Sequence, residues 1–456
     1  MVFVNALKEK RTAKKLGYTV LTVLVAMTLA QIPVIGISKT YMSLFFSKTN
    51  ILGFMDALSG GSMSKMSVGG FGITSYITAS IIIQLLSVIF PKLEKARTDG
   101  ESGRKKFEKA EFIMAMIIAL VSSILVSIGF GNSGLFVSFT PASVAIAVAE
   151  WMIGAFIIIY MAVKVEDYGI GNGPTLVLGC NILSRLPSNV ISYFRQYVLV
   201  KNAGKGILYG CGLALAAVAV FTVAVYLQKG IINIPIKITR KKASVVNSDG
   251  HIPVSVNIAN VLPVIYASTL ISFPLVIITF AGITPKGNLK TFTDALSSAN
   301  WYAPKNWTHV VGLVVYLLFI ILFSYYSTML TFSPEEIADN MKKSGDVISG
   351  VNPGKDTISY LLKRRRTVTT VSIAFLLAIV VLPDAIGVWL GISNFTFMGT
   401  SLIIVISMIS DTYLRMKAAT IHNEKSFRMF EYPAENAGNT KGGKEKGKCL
   451  LRKTRA

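Results

Sequence analysis

Charged side chains and cysteines are scarce in this sequence. Only 15% of the 456 residues are charged, 52% are apolar, and the mean hydropathy is +0.58. This composition excludes an ordinary soluble domain and is typical of a multispanning membrane protein. The three cysteines, Cys180, Cys211 and Cys449, form no C-x-x-C pair, so neither a disulfide framework nor a zinc site is predicted.

Residues that could carry catalysis are also missing. The sequence contains no Ser-His-Asp set, no acidic pair and no cluster with metal-ligand spacing. The acids nearest the apolar runs, Glu150, Asp384 and Asp411, fit the ends of spans, whereas proton-coupled transporters usually keep ionisable groups at mid-depth. We therefore predict no catalytic residue, no metal and no cofactor. The histidines are isolated and are interpreted as loop or interfacial residues: His251, His309 and His422.

Ten apolar runs predict an all-α integral membrane protein with ten spans. About 20 helical residues cross the ~30 Å hydrocarbon core, and the fifth run is shorter than this. The first run is long enough to span, so it predicts a retained helix and not a cleaved signal peptide. The runs are Leu16–Gly36, Ile73–Phe90, Phe112–Gly129, Ala142–Val163, Thr175–Leu186, Ile207–Leu227, Ile258–Ala281, Val310–Leu330, Val368–Leu382 and Phe397–Tyr413.

The net charge of +23 is distributed unevenly. Of the 46 Lys and Arg residues, 36 fall in the alternate loops that lie on the same side as both termini. Positive charge marks the cytoplasmic side, so both termini are predicted to be cytoplasmic. Basic clusters at 240–242 and 363–366 fit two alternatives, topology signals beside anionic lipid headgroups or docking of an acidic partner or ribosomal RNA.

One stretch, Ser59–Pro91, combines a polar entry with an apolar helix. Its first part, Ser59–Gly72, is rich in Gly and Ser and too polar to lie against lipid. Irregular backbone at membrane depth is tolerated only inside protein or a water-filled cavity. A short glycine-hinged helix acting as a plug over a polar path is one interpretation, and an ordinary external loop is the other.

A glycine-rich turn, GIGNGP at 169–174, superficially resembles a phosphate-binding loop. It lacks a preceding strand and a following Lys-Ser/Thr pair, and it opens an apolar run. We predict a turn at the start of a membrane helix.

Six motifs in the same order and spacing resemble the SecY family, the central subunits of the protein-translocation channel. The resemblance covers the chain from about Leu16 to Lys417. Any single motif would be weak, but six in register identify the family. The motifs are ITASIIIQLL (77–86), GESGRKK (100–106), GIGNG (169–173), NIANVLPVIYAS (257–268), ADNMKKSG (338–345) and GTSLIIV (399–405).

This resemblance implies a fold of ten helices in two pseudo-symmetric halves, an inverted repeat around an hourglass pore with a plug helix. The N-terminal half would be 1–190, with the plug at about 59–70. The C-terminal half would be 191–417, with cytoplasmic loops at 229–257 and 332–367. Residues 418–456 form a basic tail that is predicted to be disordered and cytoplasmic.

The resemblance also assigns roles to individual residues. The constriction ring would be formed by Ile77, Ile81, Leu178, Ile265 and Ile404. The plug would include Gly60, Gly61, Ser62, Met63, Ser64, Met66, Gly69 and Gly70. Gln84 and Asn257 would lie near the lateral gate. A motor or ribosome would dock on Arg240, Lys241, Lys242, Lys342, Lys343, Asn352, Arg364 and Arg365.

The implied function is translocation of secretory proteins across the bacterial plasma membrane and insertion of membrane proteins into it. The implied partners are SecE-like and SecG-like small subunits, a SecA-type ATPase or the ribosome, polypeptides with signal sequences, and anionic lipids. The energy source would lie on a partner, so the chain itself is expected not to be an enzyme.

Two alternatives stay open. Asn352 stands where the family usually has arginine in a G-x-R-P-G turn, Ser75 where it has proline, and Pro174 where it has an aliphatic ring residue. These departures fit an accessory SecY paralogue that exports a narrow set of substrates. The second alternative is a secondary solute transporter, which also uses inverted repeats but needs convergent polar ligands at mid-membrane.

Overall fold

The computed structural model describes residues 10–38, 56, 58–90, 93, 100–193, 218–219, 221–226, 228, 230–237, 249–283, 285–297, 300–301, 307–389 and 401–416. The predicted tail 418–456, the docking residues Arg240, Lys241 and Lys242, and parts of the sixth and tenth predicted spans lie outside the described residues.

The described residues form an all-α membrane fold, as predicted. The helices are α1 (Lys10–Leu29), α2 (Gly72–Ile89), α3 (Gly100–Phe130), α4 (Pro141–Tyr168), α5 (Gly173–Tyr193), α6 (within 218–228), α7 (Leu262–Phe280), α8 (Asn288–Leu296), α9 (Trp307–Thr331), α10 (Pro334–Ser344), α11 (Lys355–Trp389) and α12 (401–416). All except the short α8 and α10 coincide with the ten predicted spans. Five of the described helices, α3, α4, α7, α9 and α11, are long and apolar enough to cross a membrane.

Several spans, among them α3, α5 and α11, are longer than hydropathy predicted. The fifth, α5, has 21 residues and continues through Pro187 and across the predicted boundary between residues 190 and 191. The ninth, α11, has 35 residues and starts inside the predicted loop 332–367. Hydropathy finds only the part of a helix that matches the hydrocarbon core, so polar turns that extend beyond it are missed.

The turn at 169–174 is a helix start, as predicted. The side-chain oxygen of Asn172 accepts hydrogen bonds from the Thr175 amide at 3.1 Å and from its hydroxyl at 2.8 Å. This is the usual way in which an N-cap residue satisfies a free amide of the first turn. A side chain at Gly173 would meet the Ala162 carbonyl oxygen at 1.8 Å, so the glycine lets α5 start directly against α4.

The two large predicted loops fold into one small sheet, which the sequence did not predict. Strand β1 (Ile231–Lys237) pairs antiparallel with β2 (Asp249–Ser255) on one side and with β3 (Val347–Ile348) on the other. The sheet has its own apolar core, formed by Ile234, Val254, Phe332, Met341, Ile348 and Leu361. Loops 229–257 and 332–367 are therefore parts of one folded unit.

The more extensive helix contacts fall into two groups. Helices α1 to α5 pack against one another, and α7, α8, α9, α10 and α11 form a second packed series. Helix α7 connects the groups because it contacts both α2 and α3. Helix α12 lies close to α5, because a side chain added at Gly179 of α5 would lie 2.8 Å from Met408 of α12.

A close backbone approach holds α4 against the segment before α2. A Cβ at Gly154 would lie 2.1 Å from the Val68 carbonyl oxygen. We expect Gly154→Ala to lower the free energy of unfolding by about 1–3 kcal/mol, because the backbones must separate. Thermal unfolding of the purified protein in detergent measures this change.

Gly17→Ala in α1 is the matched control, since nothing lies within 4 Å of a side chain there. Alanine is also the better helix former, so this variant should be as stable as the parent or more stable. Equal unfolding temperatures for the two variants would contradict the close approach at Gly154.

Candidate functional site

The described helices line a partly open cavity of about 530 Å³. Its walls come from α2 to α5 of the first helix group, from α7 of the second group, and from α12. Four of the predicted ring residues line it, namely Ile77, Leu178, Ile265 and Ile404. The structure thus brings together residues that lie more than 300 positions apart in the sequence.

All five predicted ring residues belong to one buried apolar cluster. Their side chains are 1–7% exposed, and the fifth member, Ile81, lies one turn beyond Ile77 on α2. Branched aliphatic side chains contribute no hydrogen-bonding groups. The cavity therefore has a wall that does not bind water.

Charged residues line the other end of the cavity. Arg104 of α3 forms ion pairs with Glu108 at 3.4 Å and with Glu166 of α4 at 3.0 Å. Asp411 and Arg415 of α12 pair at 3.0 Å. Ile404 is 11 residues before Arg415, about 16 Å along the helix, so the cavity changes from charged to aliphatic over that depth.

A buried carboxylate that the sequence did not predict lies beside the aliphatic wall. Glu111 of α3 is 6% exposed and accepts hydrogen bonds from the Tyr76 hydroxyl at 3.0 Å and the Ser80 hydroxyl at 2.8 Å. Glu111 immediately precedes the predicted apolar run, so it lies outside the predicted spans. The sequence did contain a sign of a polar site: Tyr76, Ser80 and Gln84 are spaced four residues apart, which places three polar groups on one face of α2.

The hydrogen-bond chain continues from α2 to the second helix group. The Gln84 amide donates to Ser80 at 3.0 Å and to the Tyr266 hydroxyl of α7 at 2.7 Å. The Tyr326 hydroxyl of α9 donates to the Gln84 carbonyl oxygen at 2.7 Å. We call this contact line between α2 and helices α7 and α9 the seam. It is held by polar contacts.

Asn257 belongs to a different polar cluster. Its amide donates to Gln228 of α6 at 3.1 Å, and its oxygen accepts from the Ser372 hydroxyl of α11 at 3.0 Å. Ser407 of α12 hydrogen-bonds Asn260 in the same cluster. The structure thus joins Asn257 to α6 and α11 and Gln84 to α7 and α9, so these two predicted gate residues have separate partners.

The predicted plug helix has a different conformation from the one expected. Asp56 and Leu58 are helical, and residues 59–71 form consecutive turns with one β-bridge. Gly60 and Gly61 have φ values of 68° and 83°, which disfavour a right-handed helix. Serine hydroxyls replace helical hydrogen bonds; for example, Ser62 donates to the Ser59 carbonyl at 2.6 Å.

This segment is nevertheless enclosed by the protein, unlike an ordinary external loop. The predicted plug residues Gly60, Gly61, Ser62, Met63, Met66, Gly69 and Gly70 are all buried, and Ser64 is half-buried. Backbone bonds at 2.9–3.0 Å tie it to the turn after α1, from Val34 to Met66 and from Val68 to Ile32. Its backbone groups therefore find partners inside the protein.

The described docking residues lie around the sheet unit. Lys342 and Lys343 are exposed in the last turn of α10, where positive charge complements the helix dipole. Asn352 is exposed before α11, and Arg364 lies over the Tyr360 ring at 5.3 Å. Arg365 instead donates to the Phe332 carbonyl at 3.2 Å, so it attaches α11 to the sheet unit.

Comparison with known proteins assigns the family. A family model of SecY matches residues 67–413, which include α2, the aliphatic cluster and the seam. The chain belongs to the SecY family. The resemblance noted in the sequence motifs is therefore confirmed.

A curated SecY relative and two solved channels support the assignment. Protein translocase subunit SecY 1 of Lactobacillus kefiranofaciens is 30% identical over 417 residues, covering 89% of this chain and 94% of the relative. A structure described as that of a protein-conducting channel matches with a TM-score of 0.63 at 18% identity, covering 90% and 94% of the two chains. Sec61 in the canine ribosome-channel complex matches with a TM-score of 0.60 at 20% identity, also covering 90% and 94% of the two chains. The fold is therefore that of the SecY and Sec61 channels.

Loss of the seam hydroxyl should destabilise the SecY fold. Tyr266 is 5% exposed, and Tyr266→Phe deprives the Gln84 amide of an acceptor. We expect a loss of about 1 kcal/mol in the free energy of unfolding, because the half-buried Gln84 amide loses one of its two acceptors and keeps only Ser80. Denaturation in detergent, followed by intrinsic fluorescence, measures this.

Tyr325→Phe makes the same change in a more exposed contact with Thr370, at 3.2 Å, and should cost much less. A Tyr266→Phe variant as stable as Tyr325→Phe would mean that the seam bond contributes nothing.

Proposed function

We propose that this chain is the central subunit of a protein-conducting channel, which translocates secretory proteins and inserts membrane proteins. The observation that carries the proposal is the convergence of four buried aliphatic side chains, one each from α2, α5, α7 and α12, on the wall of one cavity. An arbitrary polypeptide needs a path that makes no sequence-specific bonds. A ring of isoleucine and leucine meets this requirement.

The same ring would close the path to ions. A constriction of branched aliphatic side chains gates by dewetting, since water gains no hydrogen bonds by entering it. A polypeptide can widen the ring by displacing soft side chains. A secondary solute transporter would instead need convergent polar ligands at this depth. The four aliphatic side chains offer none, and the polar groups beside them, Ser80 and Glu111, hydrogen-bond each other at 2.8 Å.

The plug and the lateral gate occupy the remaining parts of the site. The buried turns 59–70 would be the plug, displaced when a chain enters. The seam would be the lateral gate, opening between α2–α3 and α7–α9 as the halves 1–190 and 191–417 separate. The two packed helix groups support this division. Gln84 lies at the seam itself, while Asn257 would act through α6 and α11.

Partners would supply the energy and complete the complex. The sheet unit would dock a SecA-type ATPase or the ribosome through Lys342, Lys343, Asn352 and Arg364. SecE-like and SecG-like subunits would surround the bundle in the bacterial plasma membrane, with both termini cytoplasmic and basic residues near anionic lipids. The chain itself would hydrolyse nothing.

An accessory channel with a narrow set of substrates is the second candidate. It is favoured by Asn352, which replaces the usual arginine on the exposed turn before α11. The two candidates share the ring and the plug, and they differ in the motor and the precursors.

The ring assignment predicts an ion leak in a specific variant. Ile404→Ser replaces a 1% exposed aliphatic side chain with a small polar one, so water should enter the ring and closed-state conductance should rise several-fold. Single-channel recording in planar bilayers measures this. Ile409→Ser is the control, because Ile409 lies on the same helix but is 54% exposed. Equal conductance in both variants and the parent would remove Ile404 from the ring.

Site-specific photocrosslinking tests the function directly. A photoreactive residue placed at Ile77 or at Ile404 should crosslink to a stalled secretory precursor. Crosslinks are expected from both positions because the precursor passes between the two halves of the channel subunit. Ile409, facing outward, is the matched negative position. Comparing a general with a specialised precursor separates the two kinds of channel. Absence of crosslinks to either precursor, with partner subunits present, would favour the solute transporter.

A further inference from the structure

An ion pair between a buried aspartate and a half-buried arginine attaches the proposed plug to α5. Asp56 is 3% exposed, and its carboxylate forms an ion pair with the Arg185 guanidinium. The other carboxylate oxygen accepts the Ser64 amide at 2.8 Å, and the Asp56 carbonyl accepts the Gly61 amide at 2.8 Å. Asp56 therefore organises the first turns of the plug and connects them to the helix bundle.

Arg185 lies close to the aliphatic ring along α5. It follows Leu178 by seven residues, which corresponds to about 10 Å of helix. Its side chain is 31% exposed, whereas the Asp56 side chain with which it pairs is 4% exposed. A buried carboxylate is costly without a counter-charge, and Arg185 supplies that charge.

The two glycines of the plug allow it to lie flat on α5. A side chain at Gly60 would come within 3.0 Å of Asn181, and one at Gly61 within 3.2 Å of the Arg185 Nε. Asn181 and Arg185 are four residues apart, so they present one face of α5 to the plug. The contact is a fitted surface and not an isolated ion pair.

We propose that Asp56 and Arg185 form a latch that keeps the plug seated beside the ring, and that the latch sets how readily the channel opens. This proposal rests on the proposed function of residues 59–70 as the plug. Separating the pair leaves the buried Asp56 carboxylate without its counter-charge, and the cost of this falls when water reaches the carboxylate. Plug release is therefore coupled to wetting around Asp56, and a channel that is dry there holds its plug firmly.

Cysteine accessibility measures plug release without any substrate. Met63 is 4% exposed, so Met63→Cys reports release when it reacts with a hydrophilic maleimide. The parent carries serine in place of Cys180, Cys211 and Cys449. Asp56→Asn keeps an acceptor for the Ser64 amide but removes the charge. Arg185→Gln removes the other charge, and we expect each variant to be labelled about tenfold faster or more.

The double variant distinguishes a latch from general loosening. If the two charges act only on each other, Asp56→Asn combined with Arg185→Gln is labelled no faster than either single variant. Arg185→Lys, which keeps the charge, should stay near the parent rate. Lys65→Gln is the control: its Nζ donates to Gln31 at 2.7 Å on the exposed side of the plug, and its loss should not change labelling.

Unchanged labelling in both single variants, or rate increases that multiply in the double variant, would overturn the latch. If one variant fails to fold, the remaining single variant and Arg185→Lys still decide between a charge effect and none. A failed latch leaves precursor crosslinks at Ile77 and Ile404 intact. Failure of the proposed channel function removes those crosslinks and leaves the labelling pattern as it is.

Discussion

Irregular backbone inside a membrane protein has to find all its hydrogen-bond partners within the protein, because lipid offers none. Residues 59–71 meet this requirement through serine hydroxyls, bonds to the turn after α1, and the carboxylate of Asp56. Enclosure in turn requires close neighbours. Helix α4 approaches at Gly154, where a Cβ would lie 2.1 Å from the Val68 carbonyl oxygen, so a residue without a side chain creates space that the turns occupy.

Polar and aliphatic contacts are used in different places for a physical reason. The seam is joined by hydrogen bonds such as the one from Gln84 to Tyr266. Each bond contributes only about 1 kcal/mol, because water or another polar group can replace either partner. The ring is joined by buried aliphatic side chains such as Ile404, each worth about 1.5–3 kcal/mol against exposure to water. Helices can therefore separate along the seam more easily than water can enter the ring.

The spans and the enclosed Gly-Ser segment were predictable because each follows from local composition. The sheet was not, since Ile236 pairs with Ile348 across more than a hundred residues and β3 has only two residues. Glu111 and Asp56 were missed because each lies just outside a recognisable segment, next to an apolar run or ahead of the glycines. Their importance comes from partners on other helices, because Glu111 accepts a hydrogen bond from Ser80 and Asp56 pairs with Arg185. Only the fold brings these partners together.

The fold around Asn352 does not depend on this departure from the family's usual arginine. Its amide donates to Asp356 at 3.3 Å, and its carbonyl accepts the Thr357 hydroxyl at 2.9 Å. The second bond uses the backbone and would survive any side chain, and an arginine could pair with Asp356 on this exposed surface at little gain or loss. Because the local structure does not depend on the asparagine, its consequence lies in what binds the surface. The departure at Asn352 therefore concerns the proposed docking surface and not the packing of the helices.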